Sequence, residues 1–169
     1  MSSGVLHARS PAAASRSKQS SRYAPRRSQP TAPTRILFIR HGSHDLIDHV
    51  LVGRMPDVPL SAVGVEEVRR LAGRMAGMNI TRVHTSPRQR AIETARIIAR
   101  QAGVPMEISF ALDEIDAGAW TGLSFAELAK EPSWNFWNML RSLARPPEGE
   151  SMREVQDRIA AYLARVHVA

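Results

Sequence analysis

An α/β layered fold is what this chain's apolar pattern predicts, and three observations carry it. Ile36-Leu37-Phe38-Ile39 is a short, continuous apolar run, the texture of a strand buried on both faces. Several later stretches place apolar residues at helical spacing. Gly- and Pro-bearing turns separate the two kinds of segment, so that strand and helix alternate along the chain with a mostly parallel sheet expected.

The elements follow in order. The first strand closes on Arg40-His41-Gly42, and residues 43–60, with Gly53, Pro56 and Pro59, read as a loop. Ser61 can cap a helix reaching about Met75, with Val65, Val68, Leu71, Ala72 and Met75 in phase. Ile80 to Thr85 reads as a second strand. Pro87 stands where a second helix begins; Ala91, Ala95, Ile98 and Ala99 line one face of it, and Gly103 ends it. Met106 to Ile108 is a third, weaker strand, and residues 109–123, with Gly118 and Gly122, should be irregular. Ser124 opens a short helix, Pro132 interrupts, and Ser133 to Leu143 form another. Pro146, Pro147 and Gly149 make a loop before Ser151, which caps a last helix carrying Val155, Ile159, Leu163 and Val166 in phase.

The length, 169 residues, suits one domain. Residues 1–34 are rich in Ser, Ala, Pro and Arg and nearly free of large apolar side chains, so they cannot offset their ordering entropy and are expected to be a disordered basic tail. The folded domain is expected over residues 35–169. The formal charge of +7 is located in the tail, which holds six bases and no acid; the remainder has 17 bases against 16 acids. That near-neutrality argues against nucleic acid as a partner. Arginine outnumbers lysine 21 to 2, which coding bias explains as readily as phosphate recognition. The absence of cysteine excludes disulfides, thiolate metal sites and cysteine nucleophiles. No apolar run approaches the ~20 residues that span a bilayer. The tail lacks the apolar core of a secretory signal; it has the composition of a transit peptide without a clear amphipathic period. A cytoplasmic location is therefore expected, with an organellar one as the alternative.

Three segments can carry chemistry. A His at the end of a parallel strand, between a cation and a flexible Gly, can attack phosphorus while the guanidinium holds phosphoryl oxygens, and Arg40-His41-Gly42 supplies that set. Alone, such a tripeptide is a loop entry more often than a site. Ser86-Pro87-Arg88-Gln89-Arg90-Ala91-Ile92-Glu93-Thr94-Ala95 opens a helix, whose free N–H groups favour an anion, and Arg90 in the first turn can add a second guanidinium or simply face solvent. In the stretch from Leu112 to Leu123, Glu114 is a candidate general acid, one of sixteen acids in the chain.

Taken together these segments resemble the histidine phosphatase superfamily, the phosphoglycerate-mutase-like enzymes. Arg40-His41-Gly42 looks like the family hallmark. Gly53-Arg54-Met55-Pro56-Asp57-Val58-Pro59-Leu60-Ser61-Ala62-Val63-Gly64 is similar to its loop and first helix start, and residues 86–95 to its second arginine motif. Glu114 precedes a Gly-x-Trp-x-Gly-Leu stretch at 118–123, and Glu148-Gly149-Glu150-Ser151 resembles the Gly-Glu-Ser turn; the likeness spans residues 35–166. It implies a three-layer α/β/α phosphoglycerate-mutase-like domain. It also implies a phosphomonoester hydrolase that needs no metal and no cofactor and acts on a small phosphorylated metabolite. His41 would accept the phosphoryl group, Arg40, Arg90 and Gly53 would bind phosphate, and Glu114 would protonate the leaving group and then activate water.

Some features depart from the family pattern. The family completes its phosphate pocket with a second His on a later strand. Of the six histidines (His7, His41, His44, His49, His84 and His167) none sits in such a motif, so the domain is expected to be C-terminally truncated and incomplete. His44 and His49 read as loop residues close to His41 that can help bind phosphate. Ile47 stands where the family has Asn. A catalytically impaired relative that binds phosphate or a partner is thus one alternative. Mutase-type phosphoryl transfer is another, disfavoured because only residues 124–145 separate the Gly-x-Trp-x-Gly-Leu stretch from the Pro-Pro-Glu-Gly turn. Trp134, Phe136 and Trp137 in that stretch can wall a site or form core.

Overall fold

A computed structural model describes residues 35–168; the side chains of His167 and Val168 and all of residues 1–34 lie outside the described part, and with them the expected tail and His167. Ser61 opens α1 (Ala62–Arg74), its hydroxyl accepting from the Gly64 N–H at 3.1 Å. The α1 face carrying Val68 and Ala72 meets Ile98 of α2 (Gln89–Ala102) and forms a core with Leu60 and Met75. Gly103 closes α2 at φ 67°, a left-handed turn that suits glycine, with the Val104 N–H reaching back to the Ala99 carbonyl at 3.1 Å.

Around α2 the chain forms a strand–helix–strand unit. β1 (Val83–Thr85) runs parallel to β2 (Met106–Ile108), pairing Val83 with Met106, His84 with Glu107 and Thr85 with Ile108. Such a parallel pair needs a crossover connection, and α2 supplies it. β1 is shorter than the expected strand from Ile80, because the ladder engages only the residues that face β2. Two 3₁₀ turns, Phe110–Leu112 and Gly118–Trp120, occupy the stretch expected to be irregular.

The remaining helices build a second core. Ser124 and Glu127 cap α3 (Phe125–Leu128) reciprocally. Pro132 does not interrupt a helix but starts one, α4 (Pro132–Met139), at the first-turn position where its missing N–H costs nothing. Leu128 is fully buried, worth ~1.5–3 kcal/mol for a side chain of its size. It packs with Trp120 and Trp137, and Trp134 stands edge-on to Trp120 at 5.3 Å. The tryptophans of this region are therefore core, while Phe136 is exposed. Ser151 and Glu154 cap α5 (Met152–Val168), with the Glu154 carboxyl held down at about 2, first by Arg145 and then by Ser151. Among the described residues no helix is long and apolar enough to cross a membrane.

The expected first strand is overturned as well. Ile36-Leu37-Phe38-Ile39 is not a strand buried on both faces: it forms no ladder among the described residues, and Phe38 is 76% exposed. A continuous apolar run signals a buried strand only where neighbours satisfy its backbone and layers cover its faces. The sheet described here is two-stranded, β1 with β2, and supplies neither to this run.

Candidate active site

Gly42 seats the candidate nucleophile. Its N–H donates to Thr94 Oγ1 at 3.1 Å, and a Cβ there would fall 2.6 Å from the Gly64 carbonyl oxygen and 2.8 Å from Val68 Cγ2. Only glycine lets the turn press this closely on α1. Ser43 tightens the same contact: its N–H and hydroxyl donate to Glu67 at 2.9 and 3.1 Å, and its carbonyl accepts from the Ser61 N–H at 2.9 Å. Those bonds hold the Glu67 carboxyl below the usual carboxylate range.

His41, half-buried, is fixed by the same turn. Its Nδ1 lies 2.8 Å from the Gly42 carbonyl oxygen. A carbonyl only accepts, so Nδ1 carries the proton and Nε2 keeps its lone pair. Burial lowers the imidazole's pKa from 6.5; the Gly42 bond and Glu114 oppose this, while Arg90 and Arg40 push the same way. The ring is therefore neutral at pH 7, the form that can attack.

Arg90 comes from the first turn of α2 and is 3% exposed. Its Nη2 donates to the Gly53 carbonyl oxygen at 2.8 Å, while Nε and Nη1 are buried without a partner. Thr94 binds both halves, accepting from the Gly42 N–H and donating to the Arg90 carbonyl at 2.8 Å. The contact made by Gly53 is thus to Arg90. Arg40 is exposed at the rim. His44 is 6% exposed, its Nδ1 is sealed without a partner, and its ring centroid is 5.4 Å from that of His41.

Glu114 lies on the exposed side, near enough to act on the charge of His41. Its Oε1 accepts from the Ile115 N–H at 3.0 Å. Its carbonyl oxygen accepts from Arg54 Nε at 2.8 Å and Arg158 Nη2 at 3.3 Å. Behind it Asp113, 7% exposed, pairs with Arg88 at 2.9 Å and Arg54 at 3.5 Å. Glu150 joins Arg54 at 3.0 Å to Arg158 at 2.8 Å, and its carboxyl is held low chiefly by the bond from Arg158. The sequence assigns no role to Arg54, Arg88, Asp113 or Arg158, although Arg54 and Arg88 lie within the motif stretches and Asp113 stands beside Glu114.

Arg90, bonded to Gly53, lies close enough to His41 for its charge to bear on the imidazole, as do Arg40 and Glu114. Neutral imidazole and two unpaired guanidinium nitrogens suit an anionic, tetrahedral electrophile. Among the described residues no cluster of three or more His, Asp or Glu side chains forms a metal-ligand set.

The family model for the histidine phosphatase superfamily (branch 1) matches residues 36–169. A bifunctional protein of Mycobacterium tuberculosis is 36% identical over 138 residues, 80% of this chain and 38% of that protein. The adenosylcobalamin/alpha-ribazole phosphatase of Escherichia coli is 30% identical over 135 residues, 78% of this chain and 66% of that protein. A mycobacterial glucosyl-3-phosphoglycerate phosphatase, solved with VO3, superposes at a TM-score of 0.68 with 26% identity, covering 75% of this chain and 61% of that one. The chain spans less than two thirds of the length of each of these proteins, and the fold it shares with them is the phosphoglycerate-mutase-like α/β fold.

Proposed function

The chain belongs to the histidine phosphatase superfamily, branch 1, and on that footing we propose that it is a phosphomonoester hydrolase acting through a phosphohistidine on a small phosphorylated metabolite. The observation that carries the proposal is the pairing of a neutral, tautomer-fixed His41 with the two unpaired nitrogens of buried Arg90.

His41 Nε2 attacks the phosphorus in line and the P–O bond to the leaving group breaks, giving phosphohistidine. Arg90 and Arg40 hold the non-bridging oxygens through the transition state, where their charge neutralises what a metal would otherwise neutralise. Glu114 gives its proton to the leaving oxygen. As carboxylate it then takes a proton from water, which attacks the phosphorus and releases inorganic phosphate with His41 restored. The named phosphatases among the relatives support a small phosphorylated substrate for this chain.

The test is turnover of p-nitrophenyl phosphate by the full chain, with and without a chelator. The proposal expects turnover that the chelator leaves unchanged and that His41→Ala abolishes; undiminished turnover in the variant removes His41 from the role.

A further inference from the structure

We propose that His44 is a further ligand of this phosphate site, an imidazole that donates a hydrogen bond to an oxygen of the bound phosphoryl group or of the phosphate product and couples anion binding to uptake of a proton. The inference rests on the phosphatase reading of the His41 site and adds a residue to it.

The chain places His44 in a loop, where a histidine has no need to be buried, yet it is only 6% exposed. Its Nδ1 is sealed and has no hydrogen-bond partner. A buried polar atom left in this state loses its hydration without a replacement, and native structures tolerate few of them. Arg90, whose Nε and Nη1 are also unpaired, lies close enough for its charge to bear on both imidazoles, and the His41 ring is 5.4 Å from that of His44 between centroids. Four unsatisfied or reactive nitrogens thus belong to one small region: His41 Nε2, His44 Nδ1 and two of Arg90. All are donors or can become donors once protonated, and an oxyanion is the chemistry that satisfies them together.

The charges bearing on His44 give the proton coupling. Burial, His41, Arg90 and Arg40 all disfavour its charged form, and Asp45 alone favours it. In the free site His44 is therefore neutral at pH 7. An entering dianion reverses the sign of the local field, so the imidazole gains a proton as the anion binds, and binding tightens as pH falls toward the ordinary histidine range.

The test uses the full chain and inorganic phosphate as the probe. Phosphate affinity is measured by calorimetry between about pH 5.5 and 8 for the wild type and His44→Gln, and the imidazole ¹⁵N resonances of His44 are followed in the wild type as phosphate is added. The expected results are a loss of about tenfold in affinity at the acid end for His44→Gln, a flatter pH dependence than wild type, and a shift of the His44 resonances toward the protonated form. Affinity within twofold of wild type at every pH, with unmoved resonances, makes His44 a packing residue and overturns the inference while leaving the phosphatase reading intact. No phosphate binding by the wild type overturns both. Should His44→Gln fail to fold, the wild-type resonances decide.

Discussion

Arg90 Nη2 donates a 2.8 Å hydrogen bond to the carbonyl oxygen of Gly53, so the buried cation of α2 is tied to the loop that precedes α1. The bond orients the guanidinium and leaves Nε and Nη1 for a ligand. A lysine can replace the charge but not the planar fork. Arg90→Lys is expected to lower kcat/KM for p-nitrophenyl phosphate by ~10²–10³, and Arg90→Ala at least as far. Steady-state kinetics on the two variants checks this; a drop under tenfold for both would take Arg90 out of the phosphate site.

Glu114→Gln should slow hydrolysis of a phosphate with a poor leaving group, such as phenyl phosphate, more than that of p-nitrophenyl phosphate, by ~10²–10⁴ for the former. A good leaving group departs without a proton. Equal losses on both substrates would make Glu114 something other than the acid.

Arg158 holds the Glu114 carbonyl at 3.3 Å and the Ala111 carbonyl at 2.8 Å, while pairing with Glu150. In the proposed mechanism it would act through Glu114, as a positioning residue. Arg158→Met should therefore lower kcat with KM nearly unchanged, and show the same leaving-group bias as Glu114→Gln in weaker form. A change in KM alone would place Arg158 in substrate binding.

Gly42→Ala brings a Cβ to 2.6 Å from the Gly64 carbonyl, backbone that cannot swing aside. The substitution should cost ~1–3 kcal/mol, read as a lower denaturant midpoint, and should displace His41 with it. By contrast Gly73, with nothing within 4 Å of its added Cβ, should accept alanine and gain slightly, since it lies inside α1.

The imidazoles of His41 and His44 have folded-state pKa values below 6.5. Below that value the unfolded chain binds protons that the folded chain refuses, so these two groups make stability fall as pH drops through about 6.5 and below. The same titration of His41 removes the nucleophile, giving kcat/KM an acid limb below pH 6.5. Thermal melts and a pH–rate profile over pH 5 to 8 check both; a limb rising toward acid would contradict the assignment of neutral His41.

Helix ends were legible because single residues write them. Ser61, Ser124 and Ser151 cap as their hydroxyls allow, and Gly103 closes α2 in the left-handed turn. Arg40-His41-Gly42 and the Arg90 segment were legible because their chemistry is local. The run Ile36–Ile39 was misread, since apolarity records a preference for burial while burial depends on partners elsewhere. The charged frame around Glu114 was hidden for a related reason: Arg54 reaches Glu114 and Glu150 across 60 and 96 residues, and periodicity carries no sign of such pairings. His44 and His49 read alike in sequence, as loop residues that can help bind phosphate, and only burial, which no local pattern signals, separates the two.

The most direct test is to quench the wild-type chain during turnover of p-nitrophenyl phosphate and map the phosphoryl group by peptide mass spectrometry. An acid-labile, base-stable phosphoryl adduct is expected on the peptide containing His41, and none in His41→Ala. An adduct on another residue, or turnover with a pre-steady-state burst and no adduct on that peptide, would contradict it.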